Sequence, residues 1–176
     1  MITIAVCGVA EVPRFAGADL TDIVSIGDFG SFRPDISGYA TPPKVHRFEF
    51  IDVSHAWEFG PQRDHVQRLL NLFGNMTARK EDTRVLFHCA AGVSRSTASA
   101  FILCVYAGMT YQEAYDHILR VRGFLNPNLL MIKIADDLMS KKGEMLDFII
   151  NHRWDGAPGN QAAQEWVRNR GWEVTT

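Results

Sequence analysis

Cysteine is scarce in this sequence, a strong charge of either sign is missing, and no long hydrophobic run occurs. Each absence removes a class of protein. The three cysteines, Cys7, Cys89 and Cys104, are odd in number and without CxxC spacing. A disulfide framework or a zinc site is therefore not expected, and at least one thiol should be free. A formal net charge of -2 at pH 7 supplies no general attraction to nucleic acid or to an anionic membrane, so any preference for anions must come from a local site. No stretch approaches the roughly 18 consecutive apolar residues of a membrane span. The segment before Cys7 has no basic region and is too short for a signal peptide. These features predict a cytoplasmic protein with neither membrane nor nucleic acid as partner. No His, Asp and Glu cluster has metal-ligand spacing, so no metal or other cofactor is expected. There is no internal repeat, and the glycosylation sequon at Asn75-Met76-Thr77 lacks a secretory context.

What is present fits one soluble domain. With 47% hydrophobic and 22% charged residues in 176, the chain falls in the ordinary globular range. The expected domain covers 1–176, with a core over about 1–152 and a C-terminal helix or tail over 157–176. Segments 2–6 and 22–26 are short, rich in Ile and Val, and run into Gly8 and Gly27, as strands ending in turns do. Residues 27–43 are rich in Gly, Pro, Ser and Asp and predict an irregular loop. Segment 44–51 alternates, with Phe48 and Phe50 opposite Arg47 and Glu49, which predicts a half-buried strand. Pro61 opens a helical pattern carrying Val66, Leu69, Leu70 and Phe73 on one side, with Gly74 as its expected end. The unbroken apolar Val85-Leu86-Phe87 within 84–88 predicts a central strand covered on both faces. Helices are expected over 96–106, over 110–121 with Thr110 as cap, over 127–139 after Asn126 as cap, and over 144–151. Strands early and helices late, with strand-loop-helix at the centre, predict an α/β fold.

The segment His88-Cys89-Ala90-Ala91-Gly92-Val93-Ser94-Arg95-Ser96 lies between that buried strand and the start of a helix. Successive backbone N–H groups in a tight loop form a concave nest, and the positive end of the following helix points into it. Such a loop binds a phosphate dianion without any excess of basic residues. Gly92 stands where a turn needs a conformation other residues disfavour. Arg95 offers a planar fork to two phosphoryl oxygens, most valuable when charge spreads over them in the transition state. The same nest stabilises an anionic sulfur, so Cys89 is expected to titrate below the ordinary thiol value of about 8.5. It would then attack phosphorus and form a covalent intermediate. Ser96 is placed to donate to the departing sulfur, and His88 is expected to brace the loop through its ring nitrogens. Cys104, among Phe101, Ile102 and Val105, reads as a core residue, and Cys7 similarly.

This segment resembles the signature of the cysteine-dependent protein tyrosine phosphatase superfamily: His-Cys, five residues, Arg, then Ser or Thr. The form of the loop is most similar to the dual-specificity branch and its bacterial relatives, and Asn126-Pro127-Asn128 resembles a Pro-Asn pair common there, which makes Asn128 a supporting residue. The resemblance spans about 150 of the 176 residues, though only the loop is highly specific. It implies a mixed, mainly parallel central sheet flanked by helices. It also implies metal-independent catalysis with Cys89 as nucleophile, Arg95 as phosphate clamp and the backbone of Ala90, Ala91, Gly92, Val93 and Ser94 as cradle. The family takes its general acid from an upstream Asp. Asp52, at the exit of a strand and 37 residues before Cys89, is preferred to Asp64, whose place in the first turn of a helix suits the helix dipole. His55 reads as a solvated loop residue.

The loop carries no lysine at its variable positions, which disfavours heavily anionic substrates. No segment resembles the aromatic-bearing loop that deepens the pocket of tyrosine-only enzymes. The expected substrates are therefore phosphotyrosine together with phosphoserine and phosphothreonine, on a protein or a small phosphomonoester. Three alternatives stay open: a phosphate-binding pseudophosphatase, a phosphatase for a non-protein substrate such as a phosphoinositide, and a sulfur transferase built on the same loop shape.

Overall fold

The computed structural model describes residues 1–152, so the expected C-terminal helix or tail over 157–176 lies outside the described residues. Strands β1 (Ile2–Gly8), β2 (Asp22–Gly27), β3 (Lys44–Glu49) and β4 (Thr83–Cys89) form one sheet in the order β1-β4-β2-β3. All three strand pairs are parallel, with Gly8 opposite Cys89 and Gly27 opposite Glu49. The C-terminal ends of all four strands therefore share one edge, where an open parallel sheet presents its functional loops. Strand β4 is internal, and Val85, Leu86 and Phe87 are buried on both of its faces, which is why its apolar run is unbroken.

Five helices follow: α1 (Arg63–Thr77), α2 (Arg95–Tyr106), α3 (Tyr111–Arg122), α4 (Leu129–Leu138) and α5 (Glu144–His152). One hydrophobic cluster joins the sheet to side chains from all five, among them Phe73, Phe101, Ile118, Met131 and Ile149. The opposite face is covered by a smaller cluster of Cys7, Val12, Leu20, Ile23, Tyr39 and Leu86. Its cover comes from a 3-10 turn over Val9–Phe15 and from the β2–β3 loop, where the Tyr39 hydroxyl donates to the Val12 carbonyl at 2.7 Å. Among the described residues no helix is long and apolar enough to cross a membrane.

Two local expectations are corrected, and one element went unread. Helix α1 continues through Gly74 to Thr77, and a Cβ on Gly74 would stand 2.9 Å from the Tyr106 hydroxyl, so this glycine serves close packing and not a stop. Helix α4 is capped by Asn128, whose Oδ1 accepts the Met131 N–H at 3.0 Å, two residues after the expected Asn126. The 3-10 turn after β1 carried no periodic signal because it is too short to repeat a pattern. The Thr110 cap of α3 is as expected, completed by Glu113, whose carboxylate accepts the Thr110 N–H at 2.9 Å.

Candidate active site

Loop 90–94 joins β4 to α2 at the C-terminal edge of the sheet. Its curvature depends on Gly92, at φ +73°, where a Cβ would come within 2.3 Å of the Cys7 carbonyl carbon and 2.5 Å of the Gly8 nitrogen. Any other residue would meet both a left-handed backbone and the neighbouring strand. Cys89 is 2% exposed at the floor of the loop. Its Sγ accepts the Gly92 N–H at 3.3 Å and lies 3.2 Å from Ser96 Oγ. Helix α2 begins at Arg95, so its free N–H groups and dipole face the same space. Thr97 Oγ1 donates to the Val93 and Ser94 carbonyls, and the Asn126 N–H donates to the Val93 carbonyl at 3.0 Å, tying down the far side of the loop.

Arg95 is 3% exposed and held at one end. Its Nη1 donates to the Phe50 carbonyl at 2.6 Å and to Asp28 Oδ1 at 2.7 Å. Its Nε lies 3.5 Å from Asp52 Oδ2 but, though buried, finds no hydrogen-bond partner. A buried donor left without a partner beside an amide-lined loop is a place for an acceptor oxygen. Asp52, at the exit of β3, accepts on Oδ1 from Ser94 Oγ at 2.8 Å and from Asn128 Nδ2 at 2.7 Å, while Asn128 Nδ2 also donates to the Val53 carbonyl at 3.0 Å. The geometry thus gathers Cys89, Ser94, Arg95, Ser96, Asp52 and Asn128 at one place. Asp64 is not among them: its side chain is 78% exposed on α1 and faces Arg68 at 4.0 Å. His55 is exposed in the loop after Asp52.

The His88 ring is buried and interacts with the Cys89 backbone. Burial pushes its pKa down to about 4, with the Cys89 backbone offsetting part of the effect and the Arg47 charge adding to it. Burial also pushes the Cys104 thiol up to about 12, and burial followed by the Glu11 carboxylate raises Cys7 as well. Among the described residues no group of three or more His, Cys, Asp or Glu side chains could hold a metal ion.

Other site neighbours were invisible in the sequence pattern. Asp28 immediately follows the β2 strand end, and that position was its only signal. Arg122, in the last turn of α3, donates through Nε to the Gly92 carbonyl and through Nη2 to the Ala91 carbonyl, both at 2.9 Å, and pairs with Glu11 at 3.1 Å. Phe29, Phe59 and Trp57 are exposed and stack edge-on, with ring centroids 6.1 Å apart for Phe29–Phe59 and 5.3 Å for Trp57–Phe59. This aromatic row links the loop bearing Asp28 to the loop bearing Asp52.

No family model matches the chain. A protein-tyrosine-phosphatase MKP1 of Arabidopsis thaliana is 26% identical over 89 residues, 49% of this chain and 11% of that protein. A probable rhodanese domain-containing dual specificity protein phosphatase of Dictyostelium discoideum is 31% identical over 75 residues, 42% of this chain and 15% of that protein. The matched segments are thus a small part of either curated relative. Among solved structures, the Cydia pomonella PTP-2 phosphatase superposes with a TM-score of 0.59 at 21% identity, covering 77% of this chain and 84% of that one. DUSP15 gives 0.58 at 17% identity, covering 88% and 94%. At such identities the structures speak for the fold alone, and that fold is protein tyrosine phosphatase-like. In sequence and in fold the chain resembles the protein tyrosine phosphatase superfamily, on its dual-specificity side.

Proposed function

We propose that the chain is a cysteine-dependent phosphatase that hydrolyses phosphomonoesters, chiefly phosphotyrosine and with it phosphoserine and phosphothreonine. The observation that carries this reading is the position of Cys89 Sγ, between the Gly92 N–H at 3.3 Å and Ser96 Oγ at 3.2 Å, beside a buried Arg95 whose Nε makes no hydrogen bond. Phosphate oxygens bound by the loop amides and by the free side of the Arg95 guanidinium would set phosphorus above Sγ. Nη1 stays anchored on Phe50 and Asp28. The thiolate attacks phosphorus, the bond to the leaving oxygen breaks, and that oxygen takes the proton of the Asp52 carboxyl. In the second step Asp52, now a carboxylate, takes a proton from water as the water oxygen attacks phosphorus. The P–S bond breaks, the thiolate departs against Ser96, and phosphate is released.

Two features support an aryl phosphate over a polyanionic substrate. The loop bears no basic side chain apart from Arg95, and the carboxylates of Asp28 and Asp52 border it. The exposed row of Phe29, Phe59 and Trp57 offers an aromatic leaving group a face to pack on. The test is hydrolysis of p-nitrophenyl phosphate and of a phosphopeptide panel set against inositol phosphates. Turnover by wild type, its abolition in Cys89→Ser, and inhibition by orthovanadate are expected. Substrate binding without turnover in wild type would instead identify a phosphate-binding pseudophosphatase.

A further inference from the structure

The amides of a phosphate loop must point inward, and the structure contains a device that turns them. The described residues have no cis peptide, and in a trans peptide the carbonyl and the following N–H point in opposite directions. The Ala91 carbonyl is drawn outward by Arg122 Nη2 at 2.9 Å, which aims the Gly92 N–H inward, onto Cys89 Sγ at 3.3 Å. The Gly92 carbonyl is drawn to Arg122 Nε at 2.9 Å, which turns the Val93 N–H away from Arg122 in the same manner. One guanidinium thus sets two consecutive peptide planes.

Arg122 is only 5% exposed, and a buried cation needs a counter-charge. The loop itself supplies none, because Ala90 and Ala91 stand at its variable positions. The charge comes from Glu11, 1% exposed in the 3-10 turn, with Oε1 and Oε2 at 3.2 and 3.1 Å from Arg122 Nη1. Glu11 Oε2 also accepts the Gly8 N–H at 2.5 Å, and Gly8 is the β1 residue in register with Cys89. The carboxylate therefore ties Arg122 to the strand beside the nucleophile.

We propose that Glu11 and Arg122 are positioning residues of the loop: Arg122 directs the Gly92 and Val93 amides, and Glu11 holds Arg122 in place. The role rests on the reading of Cys89 as an anionic nucleophile, and the experiment separates the two. Iodoacetate alkylation of Cys89 is followed against pH, and orthovanadate affinity is measured, in wild type, Glu11→Gln and Arg122→Lys. Lysine keeps the charge but cannot hold two carbonyls with one fork. In folded variants the midpoint of alkylation should rise by about one unit, a tenfold loss of thiolate at fixed pH. Orthovanadate affinity should fall by roughly tenfold or more, as for a lost backbone donor. A purely structural pair would lower the melting temperature and leave both readings unchanged, and that result overturns the proposal. Failure of both variants to fold overturns it too, since the pair would then serve the whole fold. Wild type that neither hydrolyses p-nitrophenyl phosphate nor alkylates below the ordinary thiol range defeats the reading of the site. Orthovanadate binding unaffected by Glu11→Gln defeats the positioning role alone.

Discussion

Two carboxylates touch Arg95, and their contacts fit them for different work. Asp28 meets Nη1 at 2.7 Å, on the side of the guanidinium that is already occupied by the Phe50 carbonyl. Asp52 is fixed through Oδ1 by Ser94 and Asn128, with Oδ2 3.5 Å from Nε, which makes no hydrogen bond. Only Asp52 therefore borders the open side where a leaving oxygen would emerge. Asp52→Asn should lower the rate on a phenolic substrate of high leaving-group pKa by roughly 10²–10⁴-fold, the contribution of a positioned acid. The loss should shrink for p-nitrophenyl phosphate, whose phenolate needs little help from a proton. Asp28→Asn should change both rates by one common factor, because it acts on Arg95 and not on the leaving group. Asp64→Asn should leave both rates as they are. Steady-state kinetics over a series of aryl phosphates checks all three, and a leaving-group dependence in Asp28→Asn would move the acid to that residue.

At the scale of elements, one amide side chain joins a helix to the acid loop. Asn128 caps α4 through Oδ1 and holds Asp52 and the Val53 carbonyl through Nδ2. Asn128→Ala should cost about 1 kcal/mol of stability, the usual worth of an N-cap, and should lower activity as well. Asn128→Ser can restore the cap but cannot reach Asp52, so urea melts should recover while the rate stays low. Recovery of both would mean that Asn128 matters only as a cap. Signals of this kind divide what was legible in the sequence from what was not. Strand β4, its loop and helix α2 are contiguous, and each is marked by local chemistry: an apolar run, small residues, then helical spacing. Thr110 and Glu113 are equally local. The partners that complete the site are distant, at sequence separations of 67 for Asp28 and Arg95 and 111 for Glu11 and Arg122. Periodicity describes how a segment meets its own surroundings and says nothing of which remote side chain arrives there. The cap of α4 falls on Asn128 and not on the expected Asn126 because both amides precede the same apolar stretch and the backbone path decides between them.

Across the whole molecule, buried titratable groups at the two ends of the sheet tie the fold to pH. At the N-terminal end of β2, Asp22 is buried and accepts from His46 at 2.7 Å and from both terminal nitrogens of Arg79. Burial alone would raise its carboxyl pKa, but the hydrogen bonds from His46, Arg79 and Thr21 outweigh it and hold the group well below the usual carboxylate range. A depressed carboxyl stabilises the fold above its unfolded value of about 3.9 and loses that contribution as pH falls further. At the C-terminal edge His88 acts earlier. Its folded pKa of about 4 lies below the ordinary imidazole value of about 6.5, so between those values the unfolded chain binds a proton that the folded chain refuses. Stability should therefore fall with acidification through this window by about 1.4 kcal/mol per unit, or roughly 3 kcal/mol in all. His65 and His117, both lowered chiefly by burial, add to the decline with the same sign. Urea denaturation at half-unit intervals from pH 8 to 3.5 reads the effect directly. His88→Gln, which cannot take up the proton in either state, should remove the His88 share of the slope above pH 4 and leave the onset of the Asp22 loss below it. An unchanged slope in that variant would show that His88 is protonated equally in both states, and that the buried ring has water or a partner at its nitrogens.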